Sequence, residues 1–173
     1  MFNACLACLG MNTMIEIRPY KESDARAVLE VHRAAVIKTA ARDYEPAILE
    51  EWSPPVDDQR LEKFKRENSA DVRIVADING AVIGFGELVT NESLLGACYV
   101  HPEYGGKGVG HKILSKLEEI ALEKGLTYLF MDSSITAEKF YNAHGYKTIE
   151  HGEHSLRSGR KMACVKMRKE ISL

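Results

Sequence analysis

The spacing of apolar positions changes several times along the chain, and the changes divide it into elements. Met14 to Arg18 alternates as a strand. Ser23 caps a helix running to about Ala41. Pro46 opens a short helix ending near Trp52, and Pro54-Pro55 closes it. Asp57 or Asp58 starts a third helix to about Asn68. Val72 to Asp77 and Ala81 to Leu88 flank Asn79-Gly80, a dipeptide suited to tight hairpins, and Leu94 to Val100 adds another strand. Val109, Ile113, Leu117 and Ile120 then form one helical stripe, with Gly125 as its C-terminal cap. A strand from Leu126 and a helix through Tyr141 follow. Tyr146 to Leu156 and Lys161 to Arg168 close the chain as a hairpin around Arg157-Ser-Gly-Arg. This order predicts one mixed α/β domain over residues 14–173 with a central, partly splayed sheet.

The junction between the strand ending at Val100 and the next helix carries the strongest chemical signal. Tyr99-Val-His-Pro-Glu-Tyr-Gly-Gly-Lys-Gly-Val-Gly places four glycines in six positions between strand and helix. A helix N-terminus leaves backbone N–H groups without partners and carries partial positive charge, so this arrangement suits an anion, most often a phosphate. Lys107, His111, Lys112 and Lys116 all precede the helix's first acid, Glu118. Cations at a positive dipole end are reasonable where an external anion sits among them, although Lys116 reads as a solvated residue. A Walker loop would need Lys-Ser/Thr after the second glycine of Gly-x4-Gly, whereas His111 follows Gly110. Gly106-Lys-Gly-Val-Gly-His also departs from dinucleotide spacing.

On these residues the segment resembles the GNAT N-acetyltransferase superfamily. The superfamily's acyl-CoA signature maps onto Val100, Pro102, Gly105, Gly106, Gly108 and Gly110, with Gly105 standing where Arg or Gln is customary. Ala137, Phe140, Tyr141, Gly145 and Tyr146 match its next strand–helix segment, and Ser134 stands where many relatives carry Asn beside the pantetheine arm. The resemblance implies a single GNAT-like domain whose central sheet is mostly antiparallel, mixed and splayed, with flanking helices. It implies acetyl-CoA as co-substrate, held by Cys98, Tyr99, Val100, Gly105, Gly106, Lys107, Gly108, Val109, Gly110, Ser134 and Tyr141. The Val100 N–H would bind the thioester carbonyl. The Tyr141 hydroxyl would protonate the departing thiolate, a task for a phenol of pKa about 10. Tyr141 as an aromatic packed on the inner helix face is the other reading, although the adjacent Phe140 suits that core role.

Other positions add less. Glu87 and His101 are candidate bases for the amine proton, and Glu92 lies in a nearby turn. An exposed charge is the plainer reading of each, and a water relay would serve equally. Cys98 could accept an acyl group, but reads more simply as a core thiol. Tyr44 and Trp52, with Glu45, Glu50, Glu51, Asp57 and Asp58, form a segment whose rings and carboxylates suit a cationic amine. The acceptor expectation is a small-molecule or peptide amine. A non-catalytic acyl-CoA sensor or docking module on the same fold is the alternative.

Composition restricts the remainder. The chain has 173 residues, 45% hydrophobic and 28% charged, with formal net charge −2, which argues against nucleic acid as a partner. The basic residues from Arg157 to Lys169 read as a solvated face or as protection of a strand edge. No apolar stretch is long enough for a membrane span, so no membrane association is expected. Cys5-x-x-Cys8 lacks a second ligand pair, and no metal is expected. Residues 1–13 read as an N-terminal extension, either flexible or a start-site artefact given Met11 and Met14. Free thiols point to the cytoplasm; a homodimer is compatible with the sequence.

Overall fold

The computed structural model describes residues 14–66 and 70–172. The N-terminal extension, with Cys5 and Cys8, lies outside the described residues. Seven strands form one sheet in the order β1 (Glu16–Pro19), β2 (Val72–Ile78), β3 (Ala81–Val89), β4 (Leu94–Val100), β5 (Tyr128–Ser134), β7 (Lys161–Glu170), β6 (Lys147–Ser155). Every pairing is antiparallel except that of β4 with β5. The expected mixed, mostly antiparallel sheet is therefore present. Helices α1 (Ala25–Ala34), α2 (Pro46–Trp52) and α3 (Asp58–Arg66) precede β2. Helix α4 (Val109–Glu123) joins β4 to β5, and α5 (Glu138–Ala143) joins β5 to β6.

Local chemistry accounts for most boundaries. Asn79 and Gly80 both take positive φ (53° and 87°), as a two-residue hairpin between β2 and β3 requires. The first helix differs from expectation at both ends. Ser23 lies within a 3-10 turn (Glu22–Asp24), and the Lys21 N–H donates to Asp24 Oδ2 at 2.8 Å. Beyond Ala34 the helix widens into a π turn (Ala35–Thr39) and then tightens into a 3-10 turn (Ala40–Arg42). Apolar period alone does not distinguish such changes of pitch. The basic C-terminal strand also differs. β7 lies between β5 and β6, so it has no edge to protect; Lys166 faces Glu150, Arg168 pairs with Glu170, and Lys169 reaches Glu118 at 2.7 Å.

Two observations explain how α4 reaches the end of β4. Val109, Ile113, Leu114, Leu117 and Ala121 are all buried against the sheet. Opposite them, β3 carries Gly84 and Gly86. A Cβ on Gly84 would meet Ile113 Cδ1 at 2.8 Å and the Tyr99 carbonyl at 2.9 Å; one on Gly86 would meet Ile113 Cγ2 at 2.6 Å. The helix lies on bare backbone there. At the opposite edge, Arg18 of β1 is clamped by Asp24 at 2.7 Å and Asp77 at 2.9 Å, all three largely withdrawn from solvent. The Arg18 hydrogen bonds hold the Asp24 carboxyl below the usual carboxylate range.

Two predictions follow from these contacts. Gly84→Ala should cost about 1–3 kcal/mol of folding stability by overpacking, measured by denaturant unfolding. An unfolded Asp titrates near ~3.9, and its folded counterpart here titrates lower. The clamp's contribution is thus complete above the unfolded value and lost as pH falls through the folded one. Arg18→Met should cost about 3 kcal/mol at pH 7, the scale for stranding buried carboxylates, and should flatten the acid loss in an unfolding series from pH 6 to 3.

Candidate active site

The site begins where the sheet parts. β4 and β5 share a single bridge, Leu94 to Phe130, and then diverge while β5 stays paired to β7 through Ser134. The other side of β4 is held by β3, where an extra residue, Gly96, bulges between the pairs Glu87–Ala97 and Leu88–Leu95. The His101 N–H donates to the Ile83 carbonyl at 2.8 Å, which makes Gly84 and Val100 a non-hydrogen-bonded pair. Alternation then turns the Cys98 and Val100 N–H groups away from β3 and into the split. No strand of the described residues supplies them with a ladder partner.

The glycine loop crosses the end of this split. His101 caps a 3-10 turn (Pro102–Tyr104), its Nδ1 accepting from the Glu103 N–H at 3.4 Å. Gly106 and Gly108 take positive φ (71° and 79°), and Gly108 is the N-cap of α4. The first bond within the helix runs from the Lys112 N–H to the Gly108 carbonyl. The preceding N–H groups of Val109, Gly110 and His111 therefore point out of the helix end. Gly105 has φ of −61°, which any residue can adopt, but a Cβ there would come within 3.2 Å of the Pro102 carbonyl. Gly110 is closely approached: a Cβ there would sit 3.2 Å from the Phe140 ring. His144 stands beside this end, its Nδ1–H donating to the Phe140 carbonyl at 2.7 Å and its Nε2 lying 3.1 Å from His111 Nδ1.

Three cavities meet around Trp52 and Tyr99, which line all of them. The first, about 330 Å³, runs from the glycine loop along the π turn and includes Val100, Gly105, Gly110 and Ser134. The second, about 320 Å³, fills the split between β4 and β5 and includes Cys98, Ser134 and Tyr141. The third, about 530 Å³, opens on the other face among α1, α2 and α3 and includes His32, Arg60, Phe85 and Glu87.

The sequence-derived residues separate on this geometry. Tyr141 is 6% exposed and faces the split, and burial pushes its phenol well above its ordinary range. It stays protonated across neutral pH. Phe140, expected in the core, is half-buried over Gly110 and packs against the edge of the core cluster that contains Tyr141. Burial pushes the Cys98 thiol up to about 12, leaving it a weak nucleophile. Val109 contributes its side chain to the core. Glu87 lines the third cavity, with Oε1 held by Arg73 Nε at 2.5 Å. Tyr44 is a strut: its hydroxyl donates to the Ala163 carbonyl and accepts from the Ile135 N–H, each at 2.8 Å. It tethers the far side of the split and lines none of the three cavities, whereas Trp52 lines each. The π-turn residues, His32 and Arg60 carried no signal in the sequence. Among the described residues no cluster of three or more metal-ligating side chains occurs, and no helix is long and apolar enough to cross a membrane.

Known proteins share this architecture. A solved GCN5-related N-acetyltransferase from Rhodopseudomonas palustris superposes with a TM-score of 0.82 at 29% identity, covering 91% of this chain and 96% of that one. The uncharacterized N-acetyltransferase YafP of Escherichia coli is 31% identical over 136 residues, 79% of this chain and 83% of YafP. The spermidine N(1)-acetyltransferase of Thermoplasma acidophilum is 29% identical over 143 residues, 77% of this chain and 88% of that protein. The acetyltransferase (GNAT) domain model matches residues 40–171. The split sheet, the glycine loop at its end and these matches lead to one assignment: the chain belongs to the GNAT acetyltransferase family.

Proposed function

We propose that the protein is an acetyl-CoA-dependent N-acetyltransferase that acetylates a primary amine of a small molecule or peptide, with Tyr141 as general acid. The observation carrying this reading is the convergence, at one split in the sheet, of unpaired β4 N–H groups, outward-pointing amides of α4 and a buried phenol. The donor residues fit an acyl-CoA. The amides of the Gly105–Gly110 loop and the helix end suit a pyrophosphate, and the groove past Ser134 is open to a pantetheine arm. Acetyl-CoA supplies an activated acyl group with a thiolate as its leaving group.

The chain's own groups then divide the work. The Val100 N–H is aimed where a thioester oxygen gains negative charge, and a donor fixed in advance stabilises that charge without reorganising. As the C–N bond forms and the C–S bond breaks, the Tyr141 O–H gives its proton to the departing sulfur. The amine proton leaves on the acceptor side, through water, where Glu87 lines the cavity with Oε1 already held by Arg73. His101 is occupied with capping its turn. A pure acyl-CoA binder would not need a protonated phenol at the thiol position. The free thiols Cys98 and Cys164 agree with a cytoplasmic setting.

Two substitutions test the reading by free-thiol release from acetyl-CoA and by equilibrium binding. Tyr141→Phe should lower kcat roughly 10²-fold, the lower end for loss of a general acid, while leaving coenzyme A affinity intact. Unchanged kcat would remove Tyr141 from the mechanism. Gly108→Val forces a β-branched residue to φ near 79° and should abolish thermal stabilisation by coenzyme A. Persistence of that stabilisation would overturn the phosphate assignment.

A further inference from the structure

The acceptor cavity carries a charge imbalance that narrows the amine it can hold. Three carboxylates line it, and each is already engaged. Glu87 is held by Arg73, whose guanidinium lies 4.3 Å from the Phe64 ring and 4.9 Å from the Tyr20 ring. Glu51 accepts from the Ser158 N–H at 2.7 Å and the Ser158 hydroxyl at 2.8 Å, with Arg160 at 3.6 Å. Asp57 Oδ1 accepts the Arg60 backbone N–H at 2.7 Å, capping α3. Two acids outside the cavity are engaged as well: Glu50 binds Arg33 and Asp58 binds Arg26. Glu45 apart, the carboxylates of this segment are occupied by the protein itself.

Arg60 is in the opposite position. Its guanidinium is half-buried in the cavity wall, and every side-chain partner it has is neutral. Nη1 donates to the Pro54 carbonyl; Nη2 lies 3.4 Å from Ser53 Oγ and 3.5 Å from His32 Nδ1. No carboxylate of the described residues forms an ion pair with it; the Asp57 charge acts on it only at longer range, its Oδ1 being bonded to the Arg60 backbone N–H. His32 adds no compensating charge. Burial, and then the Arg60 charge, push the imidazole down to about 4, and its ring packs 4.6 Å from that of Tyr99. Arg157 adds a second guanidinium to the cavity lining. Withdrawing a guanidinium from water without a counter-ion is costly, and a bound anion relieves that cost. Apart from Gln59 and Lys63, the remaining wall is apolar and aromatic, with Phe64, Phe85, Ala97, Tyr99 and Trp52 among its residues.

Resting on the acetyltransferase reading above, we infer that the acceptor is an amino carboxylate with an apolar body. Its carboxylate is held by Arg60 with Arg157 nearby, and its side chain lies against Phe64 and Phe85. This orientation turns the amine toward Tyr99 and the adjoining Val100, where the two sides of the site meet. A polyamine would bring positive charge to a cavity whose acids are occupied.

The test uses the full chain with acetyl-CoA and three acceptors: L-phenylalanine, L-phenylalaninamide and spermidine. Free-thiol release should give kcat/KM about 10- to 100-fold higher for the free acid than for its amide, the scale of a charge-assisted contact. Arg60→Gln should bring the acid down to the level of the amide by raising KM. Equal use of acid and amide, or preference for spermidine, overturns the proposal without needing any variant to fold. If none of the three is acetylated, binding of phenylalanine to the coenzyme A complex, followed by titration calorimetry, separates the two claims. Binding that Arg60→Gln abolishes retains the carboxylate site and rejects turnover; no binding to the wild type rejects the site.

Discussion

A β-sheet that parts after one bridge leaves backbone donors of β4 without a ladder partner, and the rest of this molecule is arranged around that split. Buried N–H groups are almost always paired, so a strand edge inside a sheet is tolerable only where another molecule can complete it. β4 is fixed on one side by its ladder to β3 and leaves its other side open beyond Leu94. The Tyr44 hydroxyl ties the opposite wall, bonding to Ala163 on β7 and to Ile135 just after β5. Trp52, eight residues further on, stands where the three cavities join.

The same split explains why α4 must sit close. Its N-terminal amides serve the site only if the helix axis passes low over β3 and β4, and Gly84 and Gly86 remove the side chains that would lift it. Ile113 and Leu117 then fill the space above bare backbone. Core packing and ligand geometry are therefore one constraint. On the proposed reading the donor side is largely backbone, so Gly105 in place of Arg or Gln leaves the amide array in place. The acceptor side is built from side chains, and its character depends on which charges already have partners.

What the sequence disclosed follows this division. The hairpin at Asn79-Gly80, the stripe of α4 and the glycine loop are local, because a few adjacent residues determine them. The pattern through Tyr141 was legible for the same reason, although burial of Tyr141 rather than Phe140 was not. Long-range pairings stayed hidden. Nothing near Tyr44 indicates that its hydroxyl bonds to Ala163, 119 residues away. Glu51 and Glu87 read as available carboxylates until Ser158 and Arg73 are seen beside them. Arg60 gave no signal because its significance lies in a guanidinium that bonds only neutral groups although Asp57 is three residues away, which only three-dimensional placement reveals.

The π turn after α1 has a consequence of a different kind. A turn from Ala35 to Thr39 with five residues where an α-helix needs fewer shifts the angular phase of everything after it. Upstream, Val28 and Val31 face the sheet; downstream, Val36 and Ala40 face the cluster containing Tyr44 and Leu49. Ala35, Val36, Thr39 and Ala40 also form one wall of the donor groove. Deleting a single residue here would rotate the following turns by about 100° and withdraw that wall while sparing the sheet. Inserting or deleting one residue here is therefore a way to alter the width of the groove without touching the strands that bound the split.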